Sequence, residues 1–279
     1  MDAGPRSAVL DGEMARLLSL DVTAMTTADV KASLLGNTTL VELIRPDFDN
    51  DFLKDQMPYL RSYADLRLDR TAEITIQTGD VLSFFGAISY LDPEATKRSL
   101  ELIGALFRSV NVNEMRLKLH FDLPRPITVA QEVQPMIQTP GHPSWPSGHA
   151  TEAFAIATVL SALKNGGSVD GFNEVSNTSF YMRLAQRIAA NRTVAGVHYP
   201  SDSMCGAILG ITIGEMLVNM LEGEAKTPTR KFDGSDFTGD FDLTTLKDTM
   251  QLGAGTEAIP GGLDLGLLSP LWAIAKTEW

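Results

Sequence analysis

Three short runs in this chain gather the residue types that handle anions and protons. The first is Gly141-His142-Pro143-Ser144-Trp145-Pro146-Ser147-Gly148-His149-Ala150-Thr151. Two prolines set its entry angle, Ser147 is a helix-capping type, and an apolar segment without a breaker follows from Ala150 to Leu163. The first N–H groups of such a helix lack partners and its dipole favours negative charge, so the run predicts an oxyanion seat. His149 stands on the rim of that seat, with an imidazole able to hold or release a proton near neutrality.

The second run is Lys118 to Pro126, in which six residues separate Lys118 from Arg125. A guanidinium presents a planar fork to an oxyanion and an ammonium adds a point charge, although two cations at a helix end also suit plain solvation. The third is Asn191-Arg192-Thr193-Val194-Ala195-Gly196-Val197-His198-Tyr199-Pro200-Ser201-Asp202. One cation, one imidazole and one carboxylate here sit among apolar residues, where leaving them without partners is costly. Asp202 is spaced to accept the second ring N–H of His198, which makes the other nitrogen a nucleophile or ligand. It equally suits the first turn of a helix begun at Pro200, where the dipole favours an acid. The chain has four histidines; His142, His149 and His198 fall in these runs and His120 lies between Lys118 and Arg125, which argues for one shared site.

Taken together, Lys118 with six residues to Arg125-Pro126, Pro146-Ser147-Gly148-His149, and Arg192 with five residues to His198 and three more to Asp202 resemble a known three-part signature. It is that of the superfamily uniting type 2 phosphatidic acid phosphatases, bacterial class A acid phosphatases and vanadium-dependent haloperoxidases. The resemblance spans residues 118 to 202. It implies that Lys118, Arg125 and Arg192 hold the oxygens of phosphate or vanadate, with the Gly148 N–H and the Ser147 hydroxyl completing the cradle. It implies that His198 is the axial group, bonded to vanadium in the peroxidases or attacking phosphorus in the phosphatases, and that His149 is the general acid/base. Asn191 stands where the family usually has Ser, which touches one outer hydrogen bond.

The resemblance leaves two chemistries open. The run from His142 to Thr151 is similar to the bromoperoxidases in particular, where a second histidine also stands seven residues before the acid/base histidine. That similarity implies a vanadate cofactor, a site that phosphate or sulfate also fits, and a reaction of hydrogen peroxide with halide, bromide favoured, giving hypohalous acid that meets small organic acceptors. The alternative is a soluble phosphatase working through a phosphohistidine. The haloperoxidases of the family are longer double bundles, and the Lys-to-Arg spacing also fits phosphatases. A non-catalytic oxyanion-binding protein is the minor third reading, disfavoured because neither His149 nor His198 is missing.

The elements that must position these runs read as helices. Apolar residues recur at three- and four-residue intervals through Leu60, Tyr63 and Leu66, then Val81 to Ile88, then Leu100 to Val110. Asn113 to Phe121 reads as a further helix stopped by Pro124 and Pro126. Gly148 to Leu163, Ser179 to Ala195 and Pro200 to Leu221 complete the set, the last with Gly206, Ala207, Gly210 and Gly214 for close packing. The expected class is all-α, a helical bundle of the haloperoxidase and acid phosphatase type. Residues 1–45 read as an arm with a short helix over Thr27 to Leu35, 46–222 as the catalytic bundle, and 223–279 as a tail packed on the core or on a partner subunit.

The bulk numbers set outer limits. A length of 279 residues allows a sizeable core. A net charge of −12 disfavours nonspecific binding to nucleic acid or anionic membranes, so any basic pocket is local. The single cysteine, Cys205, cannot form an intramolecular disulfide and reads as a buried packing residue. Residues 1–21 lack the apolar stretch of a signal peptide, and the charge-free run Ser203 to Gly214 is short for a membrane span. The expectation is a soluble, cytoplasmic protein, with the arm and tail suggesting a homo-oligomer.

Overall fold

The computed structural model describes residues 3–279. In chain order the helices are α1 (Ala3–Ala15), α2 (Asn50–Tyr63), α3 (Arg67–Gln77), α4 (Leu82–Gly86), α5 (Lys97–Phe121) and α6 (Pro126–Val129). They continue with α7 (Gly148–Lys164), α8 (Gly171–Ser176), α9 (Phe180–Val194), α10 (Pro200–Glu222), α11 (Leu243–Gln251) and α12 (Leu268–Ala275). The strands are β1 (Leu18–Ala24), β2 (Thr27–Ala32), β3 (Thr38–Ile44), β4 (Lys226–Asp233) and β5 (Gly255–Ala258).

The centre is the pair α7 and α10, both buried along nearly their whole length. Glycines let them approach. A Cβ on Gly206 would lie 2.5 Å from the Ser147 carbonyl, one on Gly210 would collide with the Thr151 carbonyl, and one on Gly214 would lie 2.8 Å from Thr158 Cβ. Backbone thus meets backbone at the end of α7 that carries His149. Around the pair sit α5 and α9, and the long loop from residue 122 to 147 folds back over the end of α5.

The all-α expectation is wrong, because a five-stranded mixed sheet, in the order β1-β2-β3-β4-β5, covers one side of the helices. Strands β1, β2 and β3 form an antiparallel meander, β3 and β4 run parallel, and β5 returns antiparallel to β4. The helix expected over Thr27 to Leu35 is instead strand β2 followed by one 3-10 turn, Ser33–Leu35. Ala28, Val30 and Ala32 are buried in alternation with Thr27, Asp29 and Lys31, which is the two-residue period of a half-buried strand. Its apolar face is mostly alanine and its polar face is charged, so its local β preference is weak. What makes it a strand is pairing with β1 and β3, and β3 in turn pairs with β4 from the far end of the chain.

Two helical expectations also shift. Leu100–Val110 and Asn113–Phe121 are one continuous helix, α5, ended by Asp122 in the left-handed conformation (φ 46°). Helix α10 is, among the described residues, the one long and apolar enough to cross a membrane by length and composition, where the sequence reading found none. It is buried in the middle of the fold, and Glu215 in its interior pairs with Arg230 of β4 at 2.6 Å. Cys205 is buried as expected.

Candidate active site

Ser147 caps α7, its hydroxyl accepting the Ala150 N–H at 3.4 Å, and its own N–H donates to the Asp202 carbonyl at 2.9 Å. That bond ties the start of α7 to the start of α10. Lys118 projects from the last turn of α5 and is fully buried; its ammonium donates to the carbonyls of Ser144 (3.0 Å), Pro143 (3.4 Å) and Pro146. The proline-rich loop is therefore held on the lysine by its backbone. Arg125, just beyond α5, donates from Nε to the His142 carbonyl at 3.0 Å and from Nη1 to the Val197 carbonyl at 2.8 Å.

The same guanidinium assigns the His198 tautomer, because arginine has only donors. Arg125 Nη1 lies 3.0 Å from His198 Nε2, which must therefore accept, and His198 Nδ1–H donates to Asp202 Oδ2 at 2.7 Å. Asp202 Oδ2 also accepts the Tyr199 N–H at 3.1 Å, so the carboxylate serves the ring and the helix start together. The choice left open in the sequence, ring partner or helix-start acid, resolves as both. Arg125 Nη2 lies 3.2 Å from His142 Nδ1 and 3.3 Å from the Pro143 carbonyl. His149 Nε2 donates to the Gln77 carbonyl at 2.7 Å, leaving Nδ1 as its basic nitrogen.

Lys118, Arg125, His142, Gly148, His149 and His198 line one cavity of about 270 Å³. Ser147, Arg192 and Asp202 are buried beside it without lining it. Arg192 donates from Nη2 to Gln77 Oε1 at 2.7 Å, while its Nε and Nη1 have no partner. His120 is not part of the site; its ring packs 4.7 Å from that of Phe121.

Burial dominates the titration of these groups. It lowers His198 well below the usual imidazole range, with Arg125 and Lys118 adding to the effect. Burial, then Arg192, brings His149 down to about 3. Both rings are thus neutral at physiological pH, with the His198 Nε2 lone pair turned to Arg125 Nη1 and the unprotonated nitrogen of His149 at Nδ1. Lys118 falls to about 8 by burial, offset in part by Glu114, and burial raises Asp202 to about 7.

Three residues of the site escaped the sequence reading. Gln77, at the end of α3, holds His149 by its carbonyl and Arg192 by its side chain, and also accepts from Asn191 Nδ2 at 3.1 Å. Asn191, which stands where the family usually has Ser, thus finds its own partner. Glu114 and Glu152 line the cavity and are buried. Their signal was helical spacing: Glu114 is one turn before Lys118 and Glu152 one turn after Gly148. Gln77 offered no such signal, since it belongs to none of the three runs.

A match to the PAP2 superfamily covers residues 98–225, and this segment, which holds α5, α7, α9 and α10, is a PAP2 superfamily domain. Over 94 residues the chain is 36% identical to a vanadium-dependent bromoperoxidase of Ascophyllum nodosum, 27% of this chain and 17% of the relative. It is 37% identical over 73 residues to a lipid A 1-phosphatase of Porphyromonas gingivalis, 26% of this chain and 15% of the relative. It is 29% identical over 94 residues to a decaprenylphosphoryl-5-phosphoribose phosphatase of Mycobacterium tuberculosis, 34% of this chain and 46% of the relative. The relatives are enzymes of both chemistries, and each match spans less than half of the relative's length.

Proposed function

We propose that this protein is a vanadate-dependent haloperoxidase that oxidises halide, bromide favoured, with hydrogen peroxide to hypohalous acid. The observation that carries the reading is the place of His142. It stands seven residues before His149, lines the same cavity, and meets Arg125 Nη2 at 3.2 Å. The bromoperoxidase relative supports the same branch.

The residues present fit a tetrahedral oxyanion. Arg192 Nε and Nη1 and Gln77 Nε2 are buried donors without partners, and the wall at Gly148 has no room for a side chain. Lys118, Arg125 and Arg192, with the Ser147 hydroxyl and the Gly148 N–H, would hold the oxygens, and His198 Nε2 would be the ligand. Vanadate, when bound, supplies a Lewis-acidic centre at which peroxide becomes reactive toward halide. The protein's part is to present a neutral His198 whose ring is fixed by Asp202, and to keep cations on the anion's oxygens. His149 Nδ1, basic and unprotonated at rest, takes a proton from an arriving acid and returns it to the departing oxygen. Hydrogen peroxide, halide and a small organic acceptor are the proposed partners.

Phosphatase chemistry is the second reading, favoured by the mycobacterial relative, which this chain matches over 46% of that protein's length. There His198 Nε2 would form the bond to phosphorus and His149 would serve the leaving oxygen. Bromination of monochlorodimedone with vanadate, bromide and peroxide, run beside p-nitrophenyl phosphate hydrolysis without vanadate, separates the two. Bromination is expected, with His142→Ala changing the bromide-to-chloride preference. Its absence at full vanadate loading, with phosphate hydrolysis present, would overturn the first reading in favour of the second.

A further inference from the structure

The cationic cavity carries an acidic wall that no part of the three-run signature accounts for. Glu114 is 2% exposed and Glu152 5% exposed, and both face the cavity that holds Lys118, Arg125, His142, His149 and His198. Two buried carboxyls in an anion site oppose its purpose unless they act on the anion.

The position of Glu114 is specific. Its carboxyl group lies over Gly148, the residue that opens α7, such that a Cβ there would be 2.8 Å from Oε2 and 2.9 Å from Cδ. An anion at the Gly148 N–H therefore lies next to this carboxyl. Glu114 Oε2 is buried and has no hydrogen-bond partner in the protein. A buried polar atom left alone is costly, so this oxygen is built for something that arrives. The groups around it are Glu152, Lys118 and Arg125; burial and Glu152 push the Glu114 carboxyl well above its usual range, against the two cations.

We propose that Glu114 is a selectivity residue whose Oε2 shares one hydrogen with an oxygen of the bound anion, so that the pocket prefers oxyanions that bring a proton over those that cannot. The inference rests on the oxyanion reading of the cavity. Two oxygens in contact need one hydrogen between them. Monohydrogen phosphate and protonated vanadate supply it. Sulfate has the same shape and, against monohydrogen phosphate, the same charge, but carries no proton near neutrality. Sulfate binds only while Glu114 carries its own proton, a form that burial and Glu152 favour and that is lost as the pH rises, so the preference for phosphate grows with pH. Glu152 faces the cavity from the next turn of α7 and adds negative charge without lying against Gly148, so its effect falls on both anions equally.

Isothermal titration of the full chain with sodium phosphate and with sodium sulfate, at equal ionic strength and at several pH values from about 6 to about 9, reads the preference and its growth with pH. The wild-type preference for phosphate should rise with pH and reach about tenfold or more at the upper end, the size of one hydrogen bond to a charged group. Glu114→Gln, whose amide donates to either anion, should bring the ratio close to one by raising sulfate affinity. Glu114→Asp, which withdraws the carboxyl by one methylene, should lower the ratio without removing the charge. Glu152→Gln should raise both affinities and keep the ratio. Equal binding of the two anions by the wild type at every pH overturns the proposal, as does a ratio unchanged in a folded Glu114→Gln or Glu114→Asp protein. If neither anion binds, the oxyanion reading itself falls and this inference with it.

Discussion

The two walls of the cavity are held in opposite ways. On the cationic wall both groups are fastened, Lys118 to three carbonyls of the proline-rich loop and Arg125 to His142, Pro143, Val197 and His198, while Arg192, buried beside the cavity, is tied to Gln77 by one nitrogen of three. On the acidic wall Glu114 leaves an oxygen without a partner. The cations are arranged before any anion arrives, which lowers the cost of binding, whereas the acid waits for the anion to complete it. Preorganisation and selectivity are therefore assigned to different helices, the first mainly to α5 and α9 with the loop, the second to the meeting of α5 with the start of α7.

The largest effect on this contrast should come from removing the group that the cationic wall serves. His198→Ala should lower turnover by about 10⁴-fold or more and abolish vanadate retention, measured as steady-state activity and bound vanadium after gel filtration. Retained vanadium at wild-type stoichiometry would show that the axial role lies elsewhere. Next in size is Arg125→Lys, which keeps one charge but cannot reproduce bonds to four residues at once. Oxyanion affinity should fall about 10²- to 10³-fold, read by calorimetry with phosphate, and an effect below threefold would mean that the arginine acts only as a charge.

The smallest effect is the pH dependence of phosphate affinity. Lys118 titrates at about 8, its charged form being lost as the pH rises. Asp202 and Glu152, both raised to about 7 by burial, gain negative charge over the preceding range. All three changes make the pocket less positive, so affinity should decline steadily between about pH 6 and 9, by up to about tenfold in all. A flat profile would mean that the acidic wall and Lys118 exchange protons internally instead of with solvent.

Most of the groups gathered at the candidate site were legible because they are written in local runs. Prolines and a capping serine place His149 at a helix start, and the spacing from Arg192 to Asp202 brings a cation, an imidazole and an acid to one corner. Gln77 was illegible because its role depends on α3 crossing α9, a contact that no spacing along the chain encodes. The sheet was illegible for a related reason. Strand β2 has alanines where valine or isoleucine would have marked it, and β3 finds its parallel partner β4 only after the whole helical domain has been threaded between them.

The amino-acid sequence alone therefore determined the groups available here: three cations, a histidine on a helix rim, and a histidine paired with Asp202, because capping and helical periodicity act over a few residues. Tertiary structure decided how those groups are used. It selected the His198 tautomer through Arg125, set Gln77 behind His149 and Arg192, joined the two ends of the chain in one sheet, and laid Glu114 over Gly148. Each of these depends on which surfaces meet, and packing, unlike periodicity, is settled by residues far apart in the chain.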